Sequence, residues 1–400
     1  MSGSDRLRGS NLDQVRRRNL SAVLRLVHTR RSPSRAWLTR QTGLNRSTVA
    51  ALVGELVERG LVREVEPDHT NQAGRPSRTI VPSTTTVALT VHPELDSVTV
   101  GLVSLGGKVV RRVRYDTVRV PSAQEVVNIV SAIIAGMRGE LDSGYRTIGL
   151  GVAVPGLVRA SNGVVSLAPH LLWRDEPLAS MLSESTGFRV DAANDATVGA
   201  IAESTFGAGS GVSDMIYLNG GASGIGGGII SGGLLQQGAS GFAGELGHTL
   251  VNSEGVPCHC GSIGCLETEV ARAELLDALG LGPQESERLE DVLLAHYAPG
   301  RIPDAKVSRV VDRQLRFLGI GLAGAANLVN PSLIVLGGFL GSLYRAAPQS
   351  LEHAVRAAAM PALRDSVTLR AAELGSSILM IGAAELAFAR LLADPTGLVP

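Results

Sequence analysis

The chain has 400 residues, of which 44% are hydrophobic and 18% charged, with 48 glycines. That length suggests two or three domains, each able to bury a core, and the composition is that of a globular α/β protein. No run of 18 apolar residues spans a membrane, the start "MSGSDRLRGSNLDQVRRRN" offers no apolar segment for export, and three clustered cysteines make no disulfide framework, so a cytoplasmic protein is expected. Net charge is zero, yet residues 1–82 carry 15 Arg against 7 Asp and Glu, a balance of +8, and the remainder is −8. A basic head on an acidic body suggests that the head meets a polyanion.

The head shows helical spacing first. Leu20, Val23, Leu24 and Val27 share one face of a helix through "SAVLRLVHTRR". "SRAWLTRQTGLNRSTVAALVGELVERGLV" then holds two short helices around a turn at Thr42-Gly43-Leu44. In the second, Val49, Leu52, Val53, Leu56 and Val57 form a stripe expected to be buried, and Gly60 ends the helix. Asn45, Arg46, Ser47 and Thr48 occupy its first turn, off that stripe. Such a turn suits entry into the DNA major groove, where Arg reads guanine and hydroxyls hold phosphates.

"LVREVEP" and "RTIVPS" read as two strands around "DHTNQAGRPSR". The tip of this hairpin, Gly74-Arg75-Pro76 with Arg78, suits a narrow minor groove. Residues 1–82 are therefore expected to be a winged helix-turn-helix that binds double-stranded DNA, with Arg35, Asn45, Arg46, Ser47, Thr48, Arg75 and Arg78 as the DNA-facing residues.

Beyond Pro82 and a Thr run the pattern changes to β-branched strands ("TTTVALTV", "SVTVGLVSL", "GKVVRRVRYDTV"), then a long helix and a buried strand, "TIGLGVAVPG". Strand and helix alternate to the end, which implies α/β layering. The expected units are a first lobe over 83–190 and a second over 191–379. All three cysteines fall in the second. Cys258, Cys260 and Cys265 supply three soft ligands, His248 lies upstream, and Gly261 and Gly264 permit the tight fold that convergence needs. Three thiolates and an imidazole match a closed, structural zinc site. His259, between two thiols, competes with His248 for the fourth position, and small buried hydrophobes are the other use of such cysteines.

Six segments, "GVAVPGLV", "NDATVGAIAE", "GASGIGGGII", "GFAGELGH", "CHCGSIGCLE" and "IVLGG", follow the order and spacing of the ROK family of repressors and kinases, which nearly the whole chain resembles. The head, with "TGLNRSTV" and "GRPS", is similar to that of the family's transcriptional regulators. The resemblance implies a two-lobed, actin-like (ribonuclease H-like) α/β ATPase fold, with the C-terminal helix, 380–400, returning to the first lobe. It assigns the fourth zinc ligand to His248. It also implies a sugar site of Asn194, Asp195, Glu245, His248 and Glu267, with Asp195 at the position of the kinases' general base.

Two departures bear on function. The kinases' Asp-x-Gly-Gly-Thr phosphate loop is replaced by "VHPELDS", with His92, Glu94, Leu95 and Asp96 where Asp, Gly, Gly and Thr would stand. The glycines that allow close backbone approach are gone. One unit of repulsion at about 4 Å is worth roughly 4 kcal/mol near a surface, so ATP binding and catalysis are not expected. The glycines of "GASGIGGG" and "LGGFLG" read as tight strand–helix turns. In "LAPHLLW", His170 replaces an Asn that contacts the sugar in the family, which alters the hydroxyl pattern accepted. The expectation is a sugar-responsive regulator, a repressor of carbohydrate genes acting as a symmetric dimer or tetramer; the alternative is a sugar kinase with an appended DNA-binding head.

Overall fold

The computed structural model describes residues 12–66 and 78–397. The head opens with α1 (Leu12–Arg30), α2 (Arg35–Thr42) and α3 (Arg46–Glu58). Ser34 caps α2 by accepting the Trp37 N–H, and Asn45 caps α3 by accepting the Thr48 N–H at 2.8 Å. The stripe on α3 buries Val49, Leu52, Val53 and Leu56, but Val57 is 40% exposed. Val57 lies about 90° around the helix from the centre of that stripe, beyond the reach of α1 and α2. Strands β1 (Val62–Val65) and β2 (Thr79–Pro82) pair antiparallel as the base of the hairpin. The hairpin tip, with Gly74-Arg75-Pro76, lies outside the described residues.

The first lobe is built on β3 (Thr86–Pro93), β4 (Ser97–Ser104) and β5 (Lys108–Asp116), followed by α4 (Ala123–Gly144) and β6 (Arg146–Val154). A small three-stranded sheet, β7 (Leu157–Val158), β8 (Val165–Ala168) and β9 (Trp173–Glu176), precedes α5 (Leu178–Thr186) and β10 (Val190–Asn194). The main sheet runs β10-β6-β3-β4-β5, with β10, β6 and β3 parallel. Residues 191–194, expected in the second lobe, therefore complete the edge strand of the first: Val190 to Asn194 pair in register with Leu150 to Val154.

Helix α6 (Asp195–Phe206) leads to the second sheet, made of β11 (Met215–Gly220), β12 (Ile225–Ser231) and β13 (Leu234–Leu235). The Cys-rich loop and α7 (Leu266–Glu269), α8 (Arg272–Ala278), α9 (Leu289–His296) and α10 (Ala305–Val329) follow. The sheet is completed by β14 (Leu333–Gly337), α11 (Gly338–Ala346), α12 (Pro348–Ala358) and β15 (Thr368–Ala371), in the order β13-β12-β11-β14-β15. Two mixed sheets of five strands, each with a parallel core of three, thus face one another across α6 and the last helix, α13 (Ile378–Ala393).

Helix α13 is long and apolar enough, with the preceding turn, to cross a membrane. Here its apolar residues are spent on the core. It lies so close to β6 and α6 that a Cβ on Gly151 would stand 1.8 Å from the Ala383 carbonyl oxygen, and one on Gly382 2.0 Å from that of Val198. Met380, Ala384, Ala387, Phe388 and Leu391 also join one apolar cluster with Leu20, Val23, Leu24 and Val27 of α1 and with Ala88, Val103 and Leu105 of the first lobe. The head shares its core with the body.

Candidate ligand pocket and metal centre

The Cys-rich loop folds back on itself through two isolated antiparallel bridges, Leu250 with Cys265 and Pro257 with Ile263. Gly264, at φ +67°, makes the return possible: a Cβ there would stand 1.6 Å from the Asn252 carbonyl oxygen. The fold brings Cys260 Sγ to 3.6 Å from Cys265 Sγ and Cys258 Sγ to 3.7 Å from His248 Nδ1. All four donor atoms lie within 4.8 Å of one another. A tetrahedral ion with metal–sulfur bonds of about 2.3 Å has sulfur–sulfur edges of about 3.8 Å, so the donors fit a zinc-sized cation. Hydrogen bonding from the Ser262 backbone, first among several causes, brings the exposed Cys260 thiol down to about 7. Burial pushes the Cys258 and Cys265 thiols up. Ionising that buried pair requires a cation beside it.

His259 falls outside this group and into a second, with His248 and Glu267; its Nδ1 lies 3.2 Å from Glu267 Oε1. The loop is also anchored from behind. Glu269, fully buried, accepts the Val256 N–H at 3.0 Å and Arg313 Nη2 at 2.7 Å, which fastens the loop to α10.

Asn194, Asp195, Glu245, His248 and Glu267 all line one cleft of about 690 Å³ between the lobes, joined by His170, Arg174, Asn219 and His259. Asn194 is largely committed to the fold. Its Oδ1 accepts the N–H groups of Ala196 and Thr197 at 2.9 and 3.1 Å, and its Nδ2 donates to the Gly156 carbonyl at 3.0 Å. It therefore caps α6 and aims the first turn, with Asp195, at the cleft. Burial raises the Asp195 carboxyl, opposed by the charge of His92. Burial also raises Glu245; His248 opposes the shift, while Asp195 and Glu267 add to it.

Three carboxylates in a half-dry cleft are acceptors without enough donors. A polyhydroxyl ligand supplies those donors, each charge-assisted bond contributing about 1.5–3 kcal/mol. His170 enters from the first lobe on the turn Pro169–Leu171, its Nε2 buried and unpartnered and its ring 6.0 Å from that of His259. These two imidazoles, one from each lobe, meet at the cleft.

Residues 95–390 match the ROK family, and residues 19–66 match the IclR helix-turn-helix domain. The chain belongs to the ROK family. It is 30% identical over 373 residues to the Escherichia coli DNA-binding transcriptional dual regulator NagC, covering 91% of each protein. A crystal structure of a ROK family transcriptional regulator, homologous to the E. coli MLC protein, superposes with a TM-score of 0.75 at 25% identity, over 95% of this chain and 97% of that one. A ROK family glucokinase from Streptomyces griseus, solved with glucose and AMPPNP, matches with a TM-score of 0.63 at 27% identity, over 76% of this chain and 99% of that one.

Between β3 and β4, where the resemblance sets the kinases' phosphate loop, this chain has a tight turn closed by the Glu94 N–H on the Ser97 carbonyl at 2.8 Å. The expected full like-charge repulsion is moderated here. Arg114 donates to Glu94 at 3.2 Å, Asp96 at 3.2 Å and Asp116 at 2.7 Å, so one guanidinium offsets part of three carboxylates. The turn still offers no glycine to let a phosphate approach its backbone closely. His92 is held by Nδ1 on the Ala153 carbonyl at 3.0 Å and bears electrostatically on Asp195. A second cavity of about 500 Å³, beside Gly337 and Gly338, carries Glu287 and Glu290 together with Arg272 and Arg345.

On the head, Arg46 and Ser47 are exposed at the start of α3. Asn45 Oδ1 receives both the Thr48 N–H and Ser47 Oγ at 2.8 Å, so Asn45 acts first as a cap. Arg35 and Arg78 also carry ion pairs within the head. Arg35 Nε donates to Glu64 Oε1 at 2.9 Å, and Arg78 lies 3.9 Å from Glu64 and 3.5 Å from Glu66. Both guanidinia are turned onto acidic residues of β1 and the residue after it. Arg75 lies outside the described residues.

Sequence reading missed one joint. His28 of α1, 1% exposed, receives the Gly106 N–H on Nδ1 at 3.0 Å and sets Nε2 at 3.0 Å from Glu385 of α13. Its ring packs edge-on against Phe206, the last residue of α6, at 5.1 Å, and Arg31 stacks over the same phenyl at 4.8 Å. Helix α6 therefore runs from Asp195 in the cleft to the first helix of the head.

Proposed function

We propose that this ROK protein is a sugar-responsive DNA-binding transcriptional regulator, a repressor of carbohydrate-metabolism genes, whose body binds a sugar and whose head binds an operator. The observation that carries this reading is α6, a single helix with a cleft carboxylate at one end and the head's first helix at the other. Asn194 orients its first turn, Asp195, Glu245 and Glu267 accept ligand hydroxyls, and His248 bridges pocket and metal. A structural zinc on His248, Cys258, Cys260 and Cys265 holds Glu267 and the Cys-rich loop against the cleft. The similarity to NagC and to the MLC homologue supports the regulator class. The tight turn at Glu94–Ser97 speaks against ATP use, so the kinase reading is set aside.

In a symmetric homo-oligomer, two heads must match two half-sites on one face of DNA. A small shift of α6 against α1 and α13 then changes head spacing and operator affinity. The test is fluorescence anisotropy on a duplex from upstream of the protein's own gene, at fixed salt, with xylose, glucose, N-acetylglucosamine and their phosphates. One sugar should move the DNA midpoint at least tenfold. Specific DNA binding that no sugar alters would contradict the sensor, and absence of specific DNA binding would contradict the regulator.

A further inference from the structure

The cleft between the lobes is larger than one sugar ring needs. Its volume of about 690 Å³ lies in the range that encloses a drug-sized ligand. Its carboxylates come from the start of α6 and from the second lobe, as Asp195, Glu245 and Glu267. The first lobe supplies a different wall. In the small sheet, Leu157 of β7 stands directly opposite Leu167 of β8, and Leu167 directly opposite Arg174 of β9. Residues opposite one another in antiparallel strands share a face, and all three line the cleft. The row is open to a ligand: Leu157 and Leu167 are half-buried and Arg174 is exposed. Trp173 anchors it, buried in the first-lobe core with its Nε1–H donating to the Pro121 carbonyl at 3.0 Å. Leu172, at the turn before β9, extends the same wall.

Leu172 is the residue that the fold does not account for. Its backbone is left-handed, at φ +59°, and the residue is 84% exposed. Leucine is disfavoured there twice, by sterics that glycine and asparagine largely escape and by apolar surface left in water. Neither the core nor the turn calls for it, whereas a ligand with an apolar part would cover it. We propose, resting on the sugar-binding reading of this cleft, that its effector is an aryl glycoside. The sugar ring donates hydroxyls to the three carboxylates, and the aromatic aglycone lies on Leu157, Leu167 and Leu172, with the Arg174 guanidinium against its ring. The leucines gain by burial alone, and a guanidinium adds attraction to the ring's π face. A free sugar leaves this wall in water.

The test is isothermal titration of full-length, zinc-loaded protein with xylose, glucose and N-acetylglucosamine. Each is compared with its phenyl β-glycoside and with its own disaccharide, which puts a second sugar ring in place of the phenyl. One phenyl glycoside should bind about tenfold or more tighter than its free sugar, and the disaccharide should gain no more than about threefold. Leu172→Asn suits the left-handed backbone and Leu167→Thr keeps a strand former; melting temperature checks that both fold. Together they should remove most of the phenyl gain and leave the free sugar within about twofold. If a sugar binds and its phenyl glycoside gains nothing, the aryl proposal fails and the sugar reading stands. An equal gain from the disaccharide shows that the cleft reads length instead of apolarity and overturns the proposal. A phenyl gain that survives the double leucine substitution overturns it as well. If neither sugars nor glycosides bind, the sugar reading itself fails and the proposal with it.

Discussion

His28 and Glu385 are 357 positions apart in the chain, and His28 Nε2 lies 3.0 Å from Glu385 Oε1 in a buried environment. Because the Gly106 N–H donates to Nδ1, the ring's own proton is on Nε2 and faces the carboxylate. One imidazole thereby fixes the DNA-binding head to the first-lobe hairpin and to the C-terminal helix. His28→Ala leaves a buried carboxylate and a buried N–H without partners and should cost about 2–4 kcal/mol. Glu385→Gln keeps an acceptor for Nε2 and should cost about 1 kcal/mol. Urea denaturation of the two variants measures the difference, and equal costs would mean that the contact is packing alone.

A metal held by His248, Cys258, Cys260 and Cys265 should govern the pocket more than the head. Cys265→Ser, or chelation, should release one zinc per chain by metal analysis and weaken sugar binding by about tenfold or more, since Glu267 and His248 lose their anchorage. Affinity for non-specific DNA should hold, because the head's core joins the first lobe and α13 instead. Parallel loss of both would show that zinc supports the whole fold.

The cleft carboxyls give a signed prediction. Burial raises Asp195 and Glu245 above the ordinary 3.8 and 4.5 they have when unfolded. Folding therefore favours their protonated forms, a contribution complete below about pH 4 and lost as pH rises through the raised values. Above those values both groups oppose folding. Asp195→Asn and Glu245→Gln should each raise the melting temperature of the sugar-free protein by about 1–3 °C, with the gain vanishing toward pH 4. The same substitutions should weaken sugar binding by about tenfold or more. A lower melting temperature at pH 7 would contradict the account.

Two arginines of the head should separate in a DNA-binding assay. Arg46 is exposed in the first turn of α3, so Arg46→Ala should cost about 1–3 kcal/mol of operator binding and relax specificity at one base pair. Arg35 is paired with Glu64, so Arg35→Ala should alter operator affinity by less than about threefold and act on stability of the hairpin base instead. Competition with single-base operator variants reads the first effect, and thermal melting the second.

Periodicity made much of this structure legible. The stripe Val49, Leu52, Val53 and Leu56 follows from helical spacing, and the cysteine cluster with its glycines pointed to four donor atoms that the fold brings within 4.8 Å of one another. What spacing hides is pairing across the chain. Spacing shows Arg35 as a basic residue of the head but not that Glu64, 29 residues away, lies beside it. Residues 191–194 run straight into α6 with no turn, so nothing local marks them as the edge of the first sheet. His28 is a lone polar residue on an amphipathic helix, and its partners lie 78 and 357 positions off. Glu269 sits two residues after Glu267 in the same acidic run, and only its contact with Arg313 distinguishes an anchor from a ligand.

The central claim is that the sugar cleft and the DNA-binding head are energetically coupled. Coupling free energy is reciprocal, so it can be read from either ligand. The most direct measurement is the sugar dissociation constant, by isothermal titration, with and without saturating operator duplex. The account predicts that operator weakens sugar binding by the same factor, about tenfold or more, by which sugar weakens operator binding. An identical sugar constant in both titrations would show that cleft and head do not communicate.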